Sequence, residues 1–349
     1  MPRSPRPRST ARLVTTTAAA ASIIAACAGS DASDRLPSDS NTPGEAAAPP
    51  VLDADVFAVV GDAGELDDDT LAVADLVAAH GAATVLTVGD NDYAAEGRTV
   101  ESYEESVGAV YGAWVDAGAF FPIPGDHDYG DRCDDPDASP DLDAYLEFFD
   151  LPTGPEDETY YDVRIGDVHV FALDSLVDCH RDGGAKLARQ RGWLAATATE
   201  SDAALQVVLL HNPPYSSGAS HGSVESLRWD FAAWGVDLVV SGDDHIYERS
   251  THDGVHYVVN GLGGVELHEL GDPIGGSEVL YAEQFGALLV RMTPDAADVS
   301  FVAVDGTVVD RFSIPLEVAV SAAPVGLDAG STWHWQLQGD LDSSVDADV

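Results

Sequence analysis

Runs of strand-forming residues that stop at a Gly-Asp pair constrain how this chain can fold. Val56–Val60 runs into Gly61-Asp62, Thr84–Val88 into Gly89-Asp90, and Phe120–Pro124 into Gly125-Asp126. Between them, apolar residues recur at helical spacing over Leu66–His80 (Leu71, Ala74, Leu76, Val77), and Thr99–Asp116 reads as a second helix. Strands alternating with helices imply a largely parallel sheet, and such sheets gather ligands at the carboxyl ends of their strands. Each Gly-Asp falls at such an end, where glycine lets the backbone turn sharply and the aspartate points into the crevice. The pattern continues with strands at Tyr160–Ile165, Val168–Leu173, Gln206–Leu210 and Leu238–Val240, and helices at Lys186–Thr199 and Val224–Trp234. The remainder, with Tyr257–Asn260, Gly286–Met292, Val299–Val304 and Val308–Ile314, reads as all-β.

One Gly-Asp pair is ordinary turn chemistry. Here Asp62, Asp90, Asp126, His211, Asp243 and His245 are far apart in sequence, yet each follows an apolar strand. Carboxylates that converge repel one another unless they are neutralised, and metal ions are the usual means.

The ordered set is Gly61-Asp62-Ala63-Gly64, Gly89-Asp90-Asn91-Asp92-Tyr93, Gly125-Asp126-His127-Asp128, His211-Asn212-Pro213-Pro214-Tyr215 and Gly242-Asp243-Asp244-His245-Ile246-Tyr247-Glu248-Arg249. It resembles the calcineurin-like metallophosphoesterases, and within them the purple acid phosphatase branch, over roughly Val51–Pro315. Gln190 with Trp193-Leu194, Ser216-Ser217-Gly218 and Asn260-Gly261-Leu262-Gly263-Gly264 resemble the bacterial members. The resemblance implies an α/β fold, a four-layer αββα sandwich of two mixed β-sheets flanked by helices. It implies acid phosphatase-like hydrolysis of small phosphate esters at a dinuclear metal site, by a monomer.

Ordinary members of the family carry histidine two residues after the first aspartate, where this chain has Gly64; in the purple branch a tyrosine, here Tyr93, replaces it. By resemblance the first metal is held by Asp62, Asp90, Tyr93 and His245, with Asp90 bridging, and tyrosinate favours Fe(III). The second is held by Asp90, Asp126, His211 and Asp243. Here the chain departs from the pattern, because the family has asparagine at Asp126 and histidine at Asp243. More oxygen and less nitrogen shifts preference from Zn toward Mn, Fe, Mg or Ca. His127 and His221 are the candidate general acids for the leaving alcohol. His180, His252, His256 and His268 match no ligand position, and Arg249 reads as a structural ion-pair partner. The alternative function is a non-catalytic or single-metal surface protein that retains the fold.

The formal net charge of −45, from 61 acidic and 16 basic residues, excludes duplex nucleic acid bound through its phosphates. Residues 1–26 carry Arg3, Arg6, Arg8 and Arg12 ahead of the apolar run Leu13–Ala26, a processing signal too short to span a bilayer. Ile24-Ala25-Ala26-Cys27 resembles the bacterial lipobox, which implies lipidation at Cys27; the other reading is an ordinary signal peptide. Both lead to an extracytoplasmic protein, anchored to the membrane by lipid alone in the first case. Residues 27–50 read as an acidic tether and 51–315 as the domain. In an oxidising compartment Cys133 and Cys179 point to a disulfide. Within the tail, 316–349, the run Ser331–Gly339 resembles the opening of an endo-polygalactosaminidase-type glycoside hydrolase domain. That run also reads as a strand docked on the main sheet or a disordered acidic tail.

Overall fold

The structure, a computed structural model, describes residues 53–94, 98–130, 142–152, 154–155, 159–176 and 183–316. The leader and tether, Cys27, Cys133, Cys179, His180 and the tail run Ser331–Gly339 lie outside the described residues. In chain order the elements are β1 (Asp53–Val60), α1 (Asp68–Ala79), β2 (Ala82–Thr87), α2 (Val100–Glu105), α3 (Val107–Asp116), β3 (Phe120–Phe121), α4 (Asp126–Tyr129), α5 (Asp143–Phe148), β4 (Tyr161–Ile165) and β5 (Val168–Ala172). There follow α6 (Gly183–Thr199), β6 (Leu205–Leu209), β7 (Leu238–Ser241), β8 (Tyr247–His252), β9 (Val255–Asn260), β10 (Ser277–Tyr281), β11 (Gly286–Met292), β12 (Ala296–Ala303) and β13 (Val308–Pro315).

Two mixed sheets result. One runs β13-β12-β11-β1-β2-β3 and the other β10-β8-β9-β7-β6-β5-β4. In the first, β1, β2 and β3 are parallel and β11–β13 antiparallel. In the second, β5, β6, β7 and β9 are parallel, β4 and β8 run antiparallel to them, and β10 pairs antiparallel with β8 at one edge. The parallel strands are buried on both faces, as their near-continuous apolar runs require. Alternation along β6 and β7 assigns those faces. Leu205, Val207, Leu209, Leu238 and Val240 join the core shared with β1 and β11, whereas Val208 and Val239 pack with Leu194 and Ala198 of α6 and with Phe231.

The helices depart from the sequence expectations in instructive ways. In α1, capped by Asp67 accepting from Asp69 N and Thr70 N at 3.0 and 2.9 Å, Val73, Ala74, Leu76 and Val77 are buried, but Leu71 faces out at 40% exposure. Thr99–Asp116 is two helices broken at Ser106 (φ −100°, ψ −104°). The Ser106 hydroxyl donates to Ser102 O at 2.8 Å, a local side-chain bond that competes with helix continuation. The strand expected over Phe120–Pro124 pairs only at Phe120–Phe121. Val224–Trp234 forms two 3-10 turns, Glu225–Leu227 and Phe231–Trp234, which suffice to bury Leu227 and Phe231.

Candidate metal centre

The carboxyl ends of β1, β2 and β3 in one sheet and of β6 and β7 in the other deliver every candidate donor to one cleft. Asp62, Asp90 and Asp243 take positive φ values of 58°, 57° and 68°, a left-handed backbone that L-residues adopt only where surroundings impose it. Glycines packed against two of these carboxylates leave no room for a side chain. A Cβ at Gly125 would lie 2.0 Å from Asp90 Oδ1, and one at Gly242 2.5 Å from Asp62 Oδ2. Asn260 ties the sheets together here by donating to Val59 O at 2.9 Å.

Four donor atoms form a first cluster. Tyr93 Oη lies 2.9 Å from Asp90 Oδ2, 3.4 Å from Asp62 Oδ1 and 3.4 Å from His245 Nε2, and His245 Nε2 is 3.3 Å from Asp62 Oδ1. The second cluster surrounds His211 Nε2, with Asp126 Oδ1 at 2.9 Å, Asp90 Oδ1 at 3.5 Å and Asp243 Oδ1 at 3.7 Å. Asp90 thus presents one oxygen to each cluster. Each imidazole is fixed in one tautomer. His211 Nδ1 contacts Val88 O at 2.8 Å and His245 Nδ1 contacts Glu266 O at 2.9 Å. A carbonyl only accepts, so both Nδ1 atoms carry a proton and both Nε2 atoms are turned to the carboxylates, donating to them when the imidazole is charged and offering a lone pair to a metal when it is neutral.

The electrostatics call for positive charge. Burial, reinforced by the neighbouring carboxylates Asp126 and Asp62, pushes Asp90 well above the usual carboxylate range, although His211 opposes it. Burial disfavours charge on His245, but Asp62 beside it prevails and raises the imidazole to about 9. His211 is raised well above its ordinary value against its own burial, by Asp90 and the bond to Asp126. Asp126 is lowered despite burial, through His211. Burial and then Asp90 and Asp62 push the Tyr93 phenol well up, so a tyrosinate here requires a cation in place of its proton. Asp62 Oδ2 is buried with no hydrogen-bond partner.

A calcineurin-like phosphoesterase family model matches residues 56–247, more than half of the chain. The chain belongs to that family. Among relatives, a phosphoenolpyruvate phosphatase of Allium cepa is 29% identical over 223 residues, which cover 58% of this chain and 44% of the relative. An uncharacterised protein of Mycobacterium tuberculosis is 32% identical over 127 residues, 31% of this chain and 24% of that protein. The chain therefore spans less than half the length of these relatives. Two solved structures share the fold at 17% identity and a TM-score of 0.59. They are the purple acid phosphatase PPD1 of yellow lupin (74% of this chain, 53% of that one) and GAP50, titled the anchor in the inner membrane complex of Plasmodium (75% and 89%).

Around this phosphoesterase centre lies a cavity of about 460 Å³ lined by Asp90, Tyr93, Asp126, His127, His221, Asp243, His245, Glu65, Val265, Glu266 and His268. His127 donates its backbone N–H to Asp90 Oδ1 at 2.9 Å and packs its ring 4.1 Å from that of Tyr93. Burial lowers its pKa. His221 Nδ1 lies 3.5 Å from Asp243 Oδ1 on a side chain 46% exposed. Asp244 positions it by accepting from His221 N at 3.0 Å, Gly222 N at 2.8 Å and Ser216 Oγ at 2.5 Å. Asp128 plays the same part for α4, accepting from Gly125 N and Tyr103 Oη, both at 2.8 Å.

Four lining residues escape the sequence analysis: Glu65, Val265, Glu266 and His268. His268, which matches no ligand position in the sequence, stacks on His245 with ring centroids 4.0 Å apart and accepts its backbone N–H at Nδ1, 3.0 Å away. It enters the site on the segment that follows β9, a strand parallel to β7, and that pairing leaves no signal in the spacing of the sequence. His252 and His256 lie away from this cavity, and His252 stacks on Tyr215.

Proposed function

We propose that the chain is a metal-dependent phosphate-ester hydrolase of the purple acid phosphatase type with a dinuclear centre. The observation that carries this is the pair of imidazoles, each held at Nδ1 by a backbone carbonyl, whose Nε2 atoms converge with four buried or half-buried carboxylates, one of them with an orphaned oxygen. The donors suit the group the family implies. Asp62, Asp90, Tyr93 and His245 would hold Fe(III), the phenolate being a hard anionic ligand. Asp90, Asp126, His211 and Asp243 would hold an oxygen-seeking ion such as Mn, Fe, Mg or Ca, with Zn less favoured. Metal ions so held supply Lewis acidity toward the phosphoryl oxygens and a nucleophilic water at neutral pH.

The remaining work belongs to side chains. His127, on α4, and His221, on the segment after β6, both line the cavity, and either can give a proton to the departing alcohol oxygen. Asn212 Nδ2 holds Asp243 Oδ2 at 3.0 Å, and the Ser175 hydroxyl accepts from His211 N and Asn212 N, so both second-cluster residues are fixed before substrate arrives.

The decisive experiment is hydrolysis of a chromogenic phosphate ester by the chain loaded in turn with Fe, Mn, Zn, Mg and Ca. Turnover should appear with at least one ion and fall at least 10³-fold in Asp90→Ala, on the scale of a lost electrostatic contact at the reacting centre. Equal inactivity of both proteins with every ion rejects the enzyme reading. The Allium relative's name adds phosphoenolpyruvate to the substrates worth trying.

A further inference from the structure

The wall of the cavity carries charge that the donor clusters do not use. Glu65 follows the first Gly-Asp loop and Glu266 belongs to the segment after β9; both are exposed and both line the cavity. The two loops are zipped together, with Gly263 N donating to Gly61 O at 2.9 Å and Val265 N to Asp62 O at 3.3 Å. The glutamates therefore share one side of the mouth. Among the described lining residues no lysine or arginine faces them, and the basic side chain near Glu266 is His268, whose Nε2 lies 3.8 Å from Glu266 Oε1. Arg98, whose charge bears on His127, is not part of the lining. Four aspartates and a phenol already set the interior against anions, so bound cations are largely consumed in neutralising their own ligands.

We infer that Glu65 and Glu266 select the alcohol half of the substrate, favouring phosphate esters of amino alcohols over esters bearing a carboxylate or a second phosphate. This rests on the hydrolase reading above. Phosphoenolpyruvate, which carries a carboxylate next to its phosphate, falls on the disfavoured side. Both glutamates are solvent-exposed, so the selection is modest and sensitive to salt.

Three phosphonates of similar size test it by equilibrium binding to the metal-loaded full chain: 2-aminoethylphosphonate, propylphosphonate and 3-phosphonopropionate. Affinity should fall in that order, with about tenfold between the amine and the carboxylate at low salt. That ratio should shrink toward unity in 1 M salt, and in Glu65→Gln/Glu266→Gln at low salt. Equal affinities, the reverse order, or a ratio the double variant leaves intact overturn the selectivity while a hydrolysed chromogenic ester keeps the hydrolase reading. No binding of any phosphonate, together with no hydrolysis, overturns both.

Discussion

At residue scale, Gly64 shows why the first cluster depends on Tyr93. A Cβ at position 64 would sit 2.3 Å from Asp92 N and 2.4 Å from the Asn91 carbonyl carbon, both backbone atoms. The loop that carries Tyr93 has closed onto the space where a side chain at 64 would stand, and Tyr93 N donates to Gly64 O at 3.2 Å. A histidine cannot be restored there without moving Asp90–Tyr93. Gly64→His, and even Gly64→Ala, should therefore destabilise the chain by about 1–3 kcal/mol, the usual cost of overpacking, and displace Tyr93. Denaturant unfolding with metal analysis checks this. A Gly64→His protein of wild-type stability and metal content would show that the loop yields.

At the scale of elements, the parts legible in sequence were those whose chemistry is local. Strands ending in Gly-Asp need only an apolar run and a turn, so β1, β2, β6 and β7 and the donors after them could be read directly. What could not be read depends on tertiary partners. One exception is local: the Ser106 hydroxyl bonds Ser102 O where the helical pattern breaks, a choice that periodicity does not record. The half-exposed strand β10 pairs only because β8 offers an edge. His268 and Glu266 enter the site because β9 is parallel to β7, which spacing alone does not reveal. That segment has a measurable effect. Glu266 O and His268 Nδ1 hold His245 in place beside Asp62, and the imidazole is raised from its ordinary 6.5 to about 9. A group raised on folding stabilises fully below its unfolded value and loses that contribution as pH rises through its folded value. Raised Asp90 and His211 act in the same direction. Chelator-treated protein should therefore lose stability from pH 6.5 to 9.5, by about 3 kcal/mol from His245 at one unit per 1.36 kcal/mol. His245→Asn should shrink the slope, and denaturation midpoints measured across this range that stay level or rise would refute it.

At the scale of the whole molecule, the centre exists only where two sheets hold register, because Asp62, Asp90, Tyr93 and Asp126 come from one and His211, Asp243 and His245 from the other. Burial of the shared core brings the sheets together, but apolar contact is non-directional and fixes no register. Directional ties do so. Asn260 supplies one at the site. A larger one joins β8 to β13: Arg249 donates to Asp310 Oδ2 at 2.7 Å from Nε and to Oδ1 at 3.3 Å from Nη2, and Tyr247 Oη donates to Oδ2 at 2.8 Å. Arg249 also pairs with Glu278, and Tyr247 stacks on Phe301 at 4.3 Å. Removing one partner of a buried pair strands the other, so Asp310→Ala should cost about 3 kcal/mol, with Asp310→Asn less severe because it still accepts a bond. Asp310 lies outside the cavity lining, so metal content per folded molecule should match wild type in both variants. Denaturant unfolding paired with metal analysis separates the two quantities. A variant that keeps its stability shows that packing alone holds the sheets, and one that loses metal while folded shows that the clasp also sets the spacing of the donors.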